Sequence, residues 1–262
     1  LMVLGEYGFQ SGEGRRRANL DLPGLQQELL EEVYAINPNI VLVLMNGRPL
    51  ILNWAAEHLP AIVEAWHLGT QSGHAIAQVL YGDYNPAGKL PMSFPRSVGQ
   101  MPLYYNYKST GRPGADGEDQ GSVFWSHYGD EKNSALYPFG YGLSYTEFSY
   151  SEIKLSDTEM TAEGSINASV LLTNTGKVEG KEVVQFYLQD PYASAVRPVR
   201  ELKGFELVSL KPGESKRVSF TIDEKMLQFY SANNTWESEA GDFNIYIGTD
   251  STTNRKANFI LN

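Results

Sequence analysis

Over the first 95 residues, continuous apolar runs alternate with stretches whose apolar positions recur every three or four residues. Ile40 to Met45 is apolar throughout and ends at Asn46-Gly47. A strand with two apolar faces belongs in a parallel sheet covered on both sides. Upstream, Leu25, Leu29, Val33 and Ile36 follow helical spacing, with Glu28, Glu31 and Glu32 on the wet face. Pro23 suits the start of that helix, and Asn37-Pro38 suits its end. Ala61 to Trp66 reads as a second buried strand, and residues 73–81 as a short helix with Ile76, Ala77 and Leu80 inward. This order predicts α/β layers. The chain opens Leu1-Met2-Val3-Leu4-Gly5-Glu6, without an initiator Met or a signal peptide, in what also reads as a buried strand. That opening is expected of a segment of a longer polypeptide.

From about residue 147 the period switches to two. Val218, Phe220 and Ile222 alternate with polar neighbours, as do Phe243, Ile245 and Ile247. Ile166 to Thr173, Val183 to Leu188 and Leu202 to Val208 add further strands, punctuated by Asn174-Thr175-Gly176, Lys211-Pro212-Gly213 and Ala240-Gly241. About seven short strands with such turns predict an all-β immunoglobulin or fibronectin type III-like sandwich. The pattern therefore divides the chain into residues 1–146 and 147–262, with a long loop at 108–134 rich in Gly and charge. A loop of that length without periodicity of its own is usually functional or a linker.

Composition narrows the partners. The 262 residues carry 31 Asp and Glu against 21 Lys and Arg, a net charge of −10. Nucleic acid would call for a basic stripe, and an anionic membrane surface is disfavoured on the same ground. No apolar run is long enough to span a bilayer. Cysteine is absent, which removes disulfides, Cys-based zinc sites and thiol nucleophiles. His58, His67, His74 and His127 show no metal-ligand spacing, so no metal is expected. P-loop, dinucleotide-binding and G-x-S-x-G patterns are lacking as well, so no cofactor is implied. Twelve per cent aromatic content suits a protein that stacks sugar rings, as a weak indication.

What remains is a pair of carboxylates after the opening strand: Glu6 in Gly5-Glu6, and Glu13 in Ser11-Gly12-Glu13-Gly14 before Arg15-Arg16-Arg17. Ligands of α/β sheets bind outside the carboxyl ends of the strands. A Glu between two glycines suits projection into a cleft, whereas Glu6 suits a structural role, capping local backbone amides. A solvated loop carboxylate paired with an arginine is the plainer reading of Glu13, and spacing alone leaves both open.

At this point the residues resemble a known family. Gly5-Glu6, Ser11-Gly12-Glu13 and Asn19-Leu20-Asp21-Leu22-Pro23 resemble the acid/base loop of glycoside hydrolase family 3. Val43 to Leu50, Tyr81 to Pro91 and Tyr137 to Tyr145 resemble the same family, in the same order. The likeness covers essentially the whole chain and is strongest to bacterial periplasmic β-glucosidases. It implies a partial α/β sandwich followed by a fibronectin type III-like domain. It also implies a retaining exo-β-glycosidase acting on terminal β-D-glucosyl residues of oligosaccharides or aryl β-glucosides, in the periplasm or secreted. The same resemblance makes Glu13 the general acid/base, with Glu6 as second choice. The nucleophilic Asp and most sugar ligands would lie upstream on a (β/α)8 barrel that this sequence lacks, so the chain alone is expected to be silent. A β-xylosidase of the family and a non-catalytic carbohydrate-binding or structural module are the alternatives.

Among other candidates, Arg17 matches an arginine that follows the family's acid/base and is expected to hold the loop. Arg15 and Arg16 read as solvated charges. Trp54 and Trp66 read as core rather than sugar platforms. Phe124, Trp125 and Tyr128 suit either a subsite rim or a domain interface, and Asp83 and Asn85 are accounted for by turn chemistry.

Overall fold

A computed structural model describes residues 1–113 and 124–262, so the expected loop at 108–134 lies partly outside the described residues. The first half is a parallel three-stranded sheet in the order β1 (Met2–Gly5), β2 (Val41–Met45), β3 (Ala61–Glu64). Helix α1 (Gln26–Ile36) links β1 to β2, α2 (Asn53–His58) links β2 to β3, and α3 (Ser72–Leu80) follows. Because β2 is central and covered on both faces, Leu42, Val43 and Leu44 are fully buried, as its unbroken apolar run requires. Leu42 and Leu44 pack with Leu30, Leu50, Leu52, Ala55 and Phe94 in one cluster.

Two expectations need correction. Of the row Leu25-Leu29-Val33-Ile36 only Val33 packs on the core: Leu25, Leu29 and Ile36 are 76%, 50% and 86% exposed, and Leu30 is the one fully buried residue of α1. The helix carries two apolar stripes, and the sheet takes the one through Leu30, Val33 and Tyr34. Helix α2, too short to build a full period, was not signalled by the pattern. The strand expected to run to Trp66 ends at Glu64, and Trp66 sits in the left-handed region at φ 47°. Trp54 and Trp66 both pack on the core, Trp54 stacked on His58 and Trp66 tilted against Phe94.

The second half is a β-sandwich. One sheet is β10 (Ser215–Asp223), β7 (Ser165–Asn174), β4 (Phe148–Tyr150), with β5 (Lys154–Leu155) also paired to β7. The other runs β6 (Glu159–Met160), β14 (Lys256–Leu261), β13 (Gly241–Gly248), β8 (Gly180–Gln189), β9 (Glu201–Leu210). A one-turn helix α4 (Glu224–Leu227) and a hairpin of β11 (Phe229–Tyr230) and β12 (Trp236–Glu237) complete it. The period of two is visible in burial. Ile166, Ala168, Val170 and Leu172 face Val184, Phe186, Phe243, Ile245 and Phe259 in a single cluster.

The halves meet through buried polar contacts. Lys89 pairs with Glu182 at 3.2 Å and donates to the Gly142 carbonyl, while Gln185 donates to Gly140 O at 3.0 Å. Burial raises the Glu182 carboxyl above its ordinary value, and Lys89 works against that rise.

Leu172 is fully enclosed in the sandwich core. Leu172→Ala is therefore expected to cost about 2–5 kcal/mol, read as a lower denaturant midpoint for loss of the β signal in circular dichroism.

Candidate active site at the carboxyl ends of the parallel strands

Parallel pairing brings the carboxyl ends of all three strands to one edge: Gly5-Glu6 after β1, Asn46-Gly47-Arg48 after β2, and Glu64 ending β3. Their registers place Gly5 opposite Met45 and Leu44 opposite Glu64. Gly5 is required here. A Cβ on it would come within 2.2 Å of the Met45 carbonyl oxygen, and its φ of 130° suits glycine alone.

Glu6 is 4% exposed and is the electrostatic centre of the edge. Its carboxylate takes Arg17 Nη1 at 3.0 Å and straddles Arg48 Nε at 3.0 and 3.1 Å. It also accepts from the Gly47 amide at 3.3 Å. Burial works to raise its pKa, but the two guanidinium groups and the amide outweigh burial and hold it below the usual carboxylate range. The same arginines reach further: Arg48 Nη2 donates to Gln10 O, and Arg17 Nη2 donates to Asp21 O at 3.1 Å. The segment between β1 and α1 is thus tied down on both sides of residues 11–16.

Between those ties lies Glu13, exposed in a turn closed by Arg15 N donating to Gly12 O at 3.2 Å. Gly12 and Gly14 have φ of 114° and 70°, so both flanking residues take conformations that favour glycine. Among the described residues Glu13 forms no ion pair or hydrogen bond. Arg15 and Arg16 are exposed. Ser11, which precedes the turn, lies against Gly47: a Cβ there would meet Ser11 Oγ at 1.8 Å and His67 Nε2 at 3.2 Å.

Glu64 contributes a third carboxyl. Its Oε1 accepts from the Trp66 amide at 2.9 Å and its Oε2 from Asn46 Nδ2 at 3.3 Å. Burial pushes its pKa up to about 7, against the lowering effect of those two donors. Asn46, fully buried, also donates to Arg48 O at 2.7 Å, and its Oδ1 has no hydrogen-bond partner among the described residues.

The structure therefore brings Glu6, Arg17 and the Glu13 turn together and gives Glu6 a structural role, but as the partner of two arginines; the one amide it accepts from, Gly47, lies 41 positions away and not in its own loop. It adds Asn46, Gly47, Arg48 and Glu64. Of these, Glu64 carried a readable signal, a charged residue inside an apolar strand. Arg48 lies 42 positions from Glu6 and is joined to it only by strand pairing. Phe124, Trp125 and Tyr128 are exposed, with Tyr128 donating to Gly99 O at 3.2 Å, so these rings do not join the core. No group of three or more metal-ligating side chains occurs among the described residues.

The domain that carries this edge is similar to known proteins. Residues 1–145 match the glycosyl hydrolase family 3 C-terminal domain, and residues 182–251 match a fibronectin type III-like domain. A periplasmic β-glucosidase of Salmonella typhimurium is 49% identical over 261 residues, which is 100% of this chain and 34% of that protein. A β-xylosidase of Formosa agariphila is 44% identical, over 96% of this chain and 34% of its own length. The crystal structure of a Listeria innocua β-glucosidase in complex with glucose superposes with a TM-score of 0.95 at 40% identity, covering 99% of this chain and 36% of that one. The chain spans about a third of the length of the relatives it matches.

Two outcomes follow from the geometry. Glu6→Gln leaves two half-buried guanidinium groups without their counter-charge. It is expected to cost about 3–5 kcal/mol and to speed tryptic cleavage at Arg15 to Arg17. Glu64 carries the opposite pH signature. Its folded pKa is raised from 4.5 to about 7, so its contribution is present below 4.5 and is lost as pH rises towards and through 7. Denaturation of the natural chain and of Glu64→Gln across this range is expected to show their stability difference falling with pH, which also separates Glu64 from Glu182 and Asp190, both raised by burial.

Proposed function

Because this chain belongs to glycoside hydrolase family 3, we propose that it supplies the acid/base half of a retaining β-glycosidase active site, with Glu13 as the acid/base. The observation that carries this reading is the Glu13 turn itself. A carboxyl free of partners is set between two left-handed glycines on a loop anchored at both ends through Glu6, at the edge where ligands of parallel sheets bind. Glu13 protonates the leaving glycosidic oxygen as a nucleophilic carboxylate attacks the anomeric carbon. It then takes a proton from the water that releases the sugar from the covalent intermediate. Such pairs of carboxyls lie about 5–5.5 Å apart in retaining enzymes. The nucleophile belongs to polypeptide upstream of this sequence.

The exposed row Leu25-Leu29-Ile36 provides an apolar stripe on which that upstream part packs. A terminal β-D-glucosyl residue is the favoured substrate unit. The relatives include a β-xylosidase as well, so both sugars belong in the test. The periplasmic relative supports a periplasmic location.

The test uses the longer natural polypeptide, with and without Glu13→Ala, on alkyl and dinitrophenyl β-glucosides and β-xylosides. On the alkyl glycosides, whose departure requires a proton, the variant is expected to lose about 10²–10⁴-fold in kcat/KM. On the dinitrophenyl glycosides kcat/KM changes little while kcat falls, and added azide restores turnover by forming the glycosyl azide. Unchanged alkyl-glycoside activity in the variant removes Glu13 from the chemistry. Residues 1–262 alone are expected to be silent on all four substrates. Sugar binding by an inactive full-length polypeptide favours the non-catalytic module instead.

A further inference from the structure

Glu64 is used by none of the steps above, yet it sits at the same edge as Glu6 and Glu13. It ends β3, and its side chain is mostly withdrawn from water. One carboxyl oxygen holds the Trp66 amide, two residues on, at 2.9 Å, and the other holds Asn46 Nδ2 at the end of β2. The first bond closes a tight local ring around a residue whose φ of 47° is unfavourable for a bulky side chain. A strained residue persists only when its surroundings over-determine it. Here the hydrogen bond to Glu64 and the contact of the Trp66 ring with Phe94 do so.

The turn at Trp66 decides where His67 goes. His67 Nε2 and Ser11 Oγ both crowd the α-carbon of Gly47, at 3.2 and 1.8 Å from where a Cβ would stand. Ser11 begins the Ser11-Gly12-Glu13 turn. The path from the Glu64 carboxyl to the acid/base loop therefore runs through the Trp66 backbone, His67, Gly47 and Ser11. A parallel path runs through Asn46, whose amide bridges Glu64 to the Arg48 carbonyl and so to the strap that fixes Gln10. Both paths need an acceptor at the length of a Glu side chain.

We propose that Glu64 is a positioning residue for the acid/base loop, acting as a fixed hydrogen-bond acceptor that sets the Trp66 turn and, through His67 and Gly47, the seat of Ser11 and Glu13. This inference rests on the reading of Glu13 as acid/base. A glutamine keeps the reach and one of the two acceptor oxygens, whereas an aspartate keeps both oxygens and the charge and loses the reach.

The experiment compares Glu64→Gln, Glu64→Asp and Glu13→Ala in the longer natural polypeptide. It measures kcat and KM on alkyl and dinitrophenyl β-glucosides, with thermal melting of each variant. Glu64→Gln retains an oxygen for the Trp66 amide but turns its NH2 towards the Asn46 amide donor, so it is expected to lose less than Glu64→Asp in kcat/KM on the alkyl glucoside and to leave kcat/KM on the dinitrophenyl glucoside nearly unchanged. Glu64→Asp is expected to lose up to about 10²-fold in kcat/KM on the alkyl glucoside, the scale of a misplaced catalytic group, with kcat/KM on the dinitrophenyl glucoside nearly unchanged and its kcat lowered. Equal loss on both substrates, or loss that merely follows the melting temperature, assigns Glu64 to stability alone and overturns the proposal. Activity kept by Asp and lost by Gln makes charge the operative property and overturns it too. If Glu13→Ala shows no dependence on leaving group, the acid/base reading fails on its own, whatever the Glu64 variants do. If Glu13→Ala shows it and Glu64→Asp does not, only the positioning role fails.

Discussion

Everything at the candidate site hangs on one buried carboxylate. Glu6 is taken out of water at the end of β1, and an isolated charge there would be costly. Arg17, on the segment before α1, and Arg48 with the Gly47 amide, on the loop after β2, compensate it. Satisfying the charge therefore fixes the first strand to the loop after the second, and both to the segment that leads into α1. A loop between β1 and α1 would otherwise be free to move, and Gly12 and Gly14 give it the means. Holding its two ends at Gln10 and Arg17 confines that freedom to the few residues around Glu13. Solvent exposure and a defined seat are the two things a proton-transferring carboxyl on a loop needs together.

A second constraint is the strand order. With β2 in the middle of a parallel sheet, Glu6, Asn46 and Glu64 are forced to one edge, and their environments differ sharply. Glu6 is surrounded by cations and stays ionised. Glu64 has amide donors and no ion pair among the described residues, and burial lifts it towards neutrality. Carboxyls of one residue type, a few residues from the ends of neighbouring strands, thus take different charge states from environment alone. The β-sandwich is joined to this layer by Lys89, Glu182 and Gln185, buried polar groups that fix the orientation of the two halves by directional bonds.

Much of the fold was legible because burial leaves a period. The apolar run of β2 and the alternation along β7, β10 and β13 could be read from side-chain polarity. Helix α1 was found with one residue of its expected inward row, Val33, on the core; Leu25, Leu29 and Ile36 are exposed, and the sheet buries the stripe through Leu30 instead. Which of two apolar stripes is used is decided by tertiary packing, and local sequence does not record it. At the site, Glu13 between glycines and the structural bias of Glu6 were readable. The partnership of Glu6 with Arg48 was not, because it arises only when β1 pairs with β2. Glu64 was passed over as one polar letter in an apolar strand, the kind of exception that marks a buried group with dedicated partners.

The most direct measurement is a crystal structure of the longer natural polypeptide with a non-hydrolysable S-linked alkyl glucoside in the cleft. A Glu13 carboxyl oxygen within hydrogen-bond reach of the glycosidic sulfur, about 3 Å, with Glu6 still clasped by Arg17 and Arg48, is the expected result. A different carboxyl at that sulfur, with Glu13 turned to solvent, contradicts the assignment.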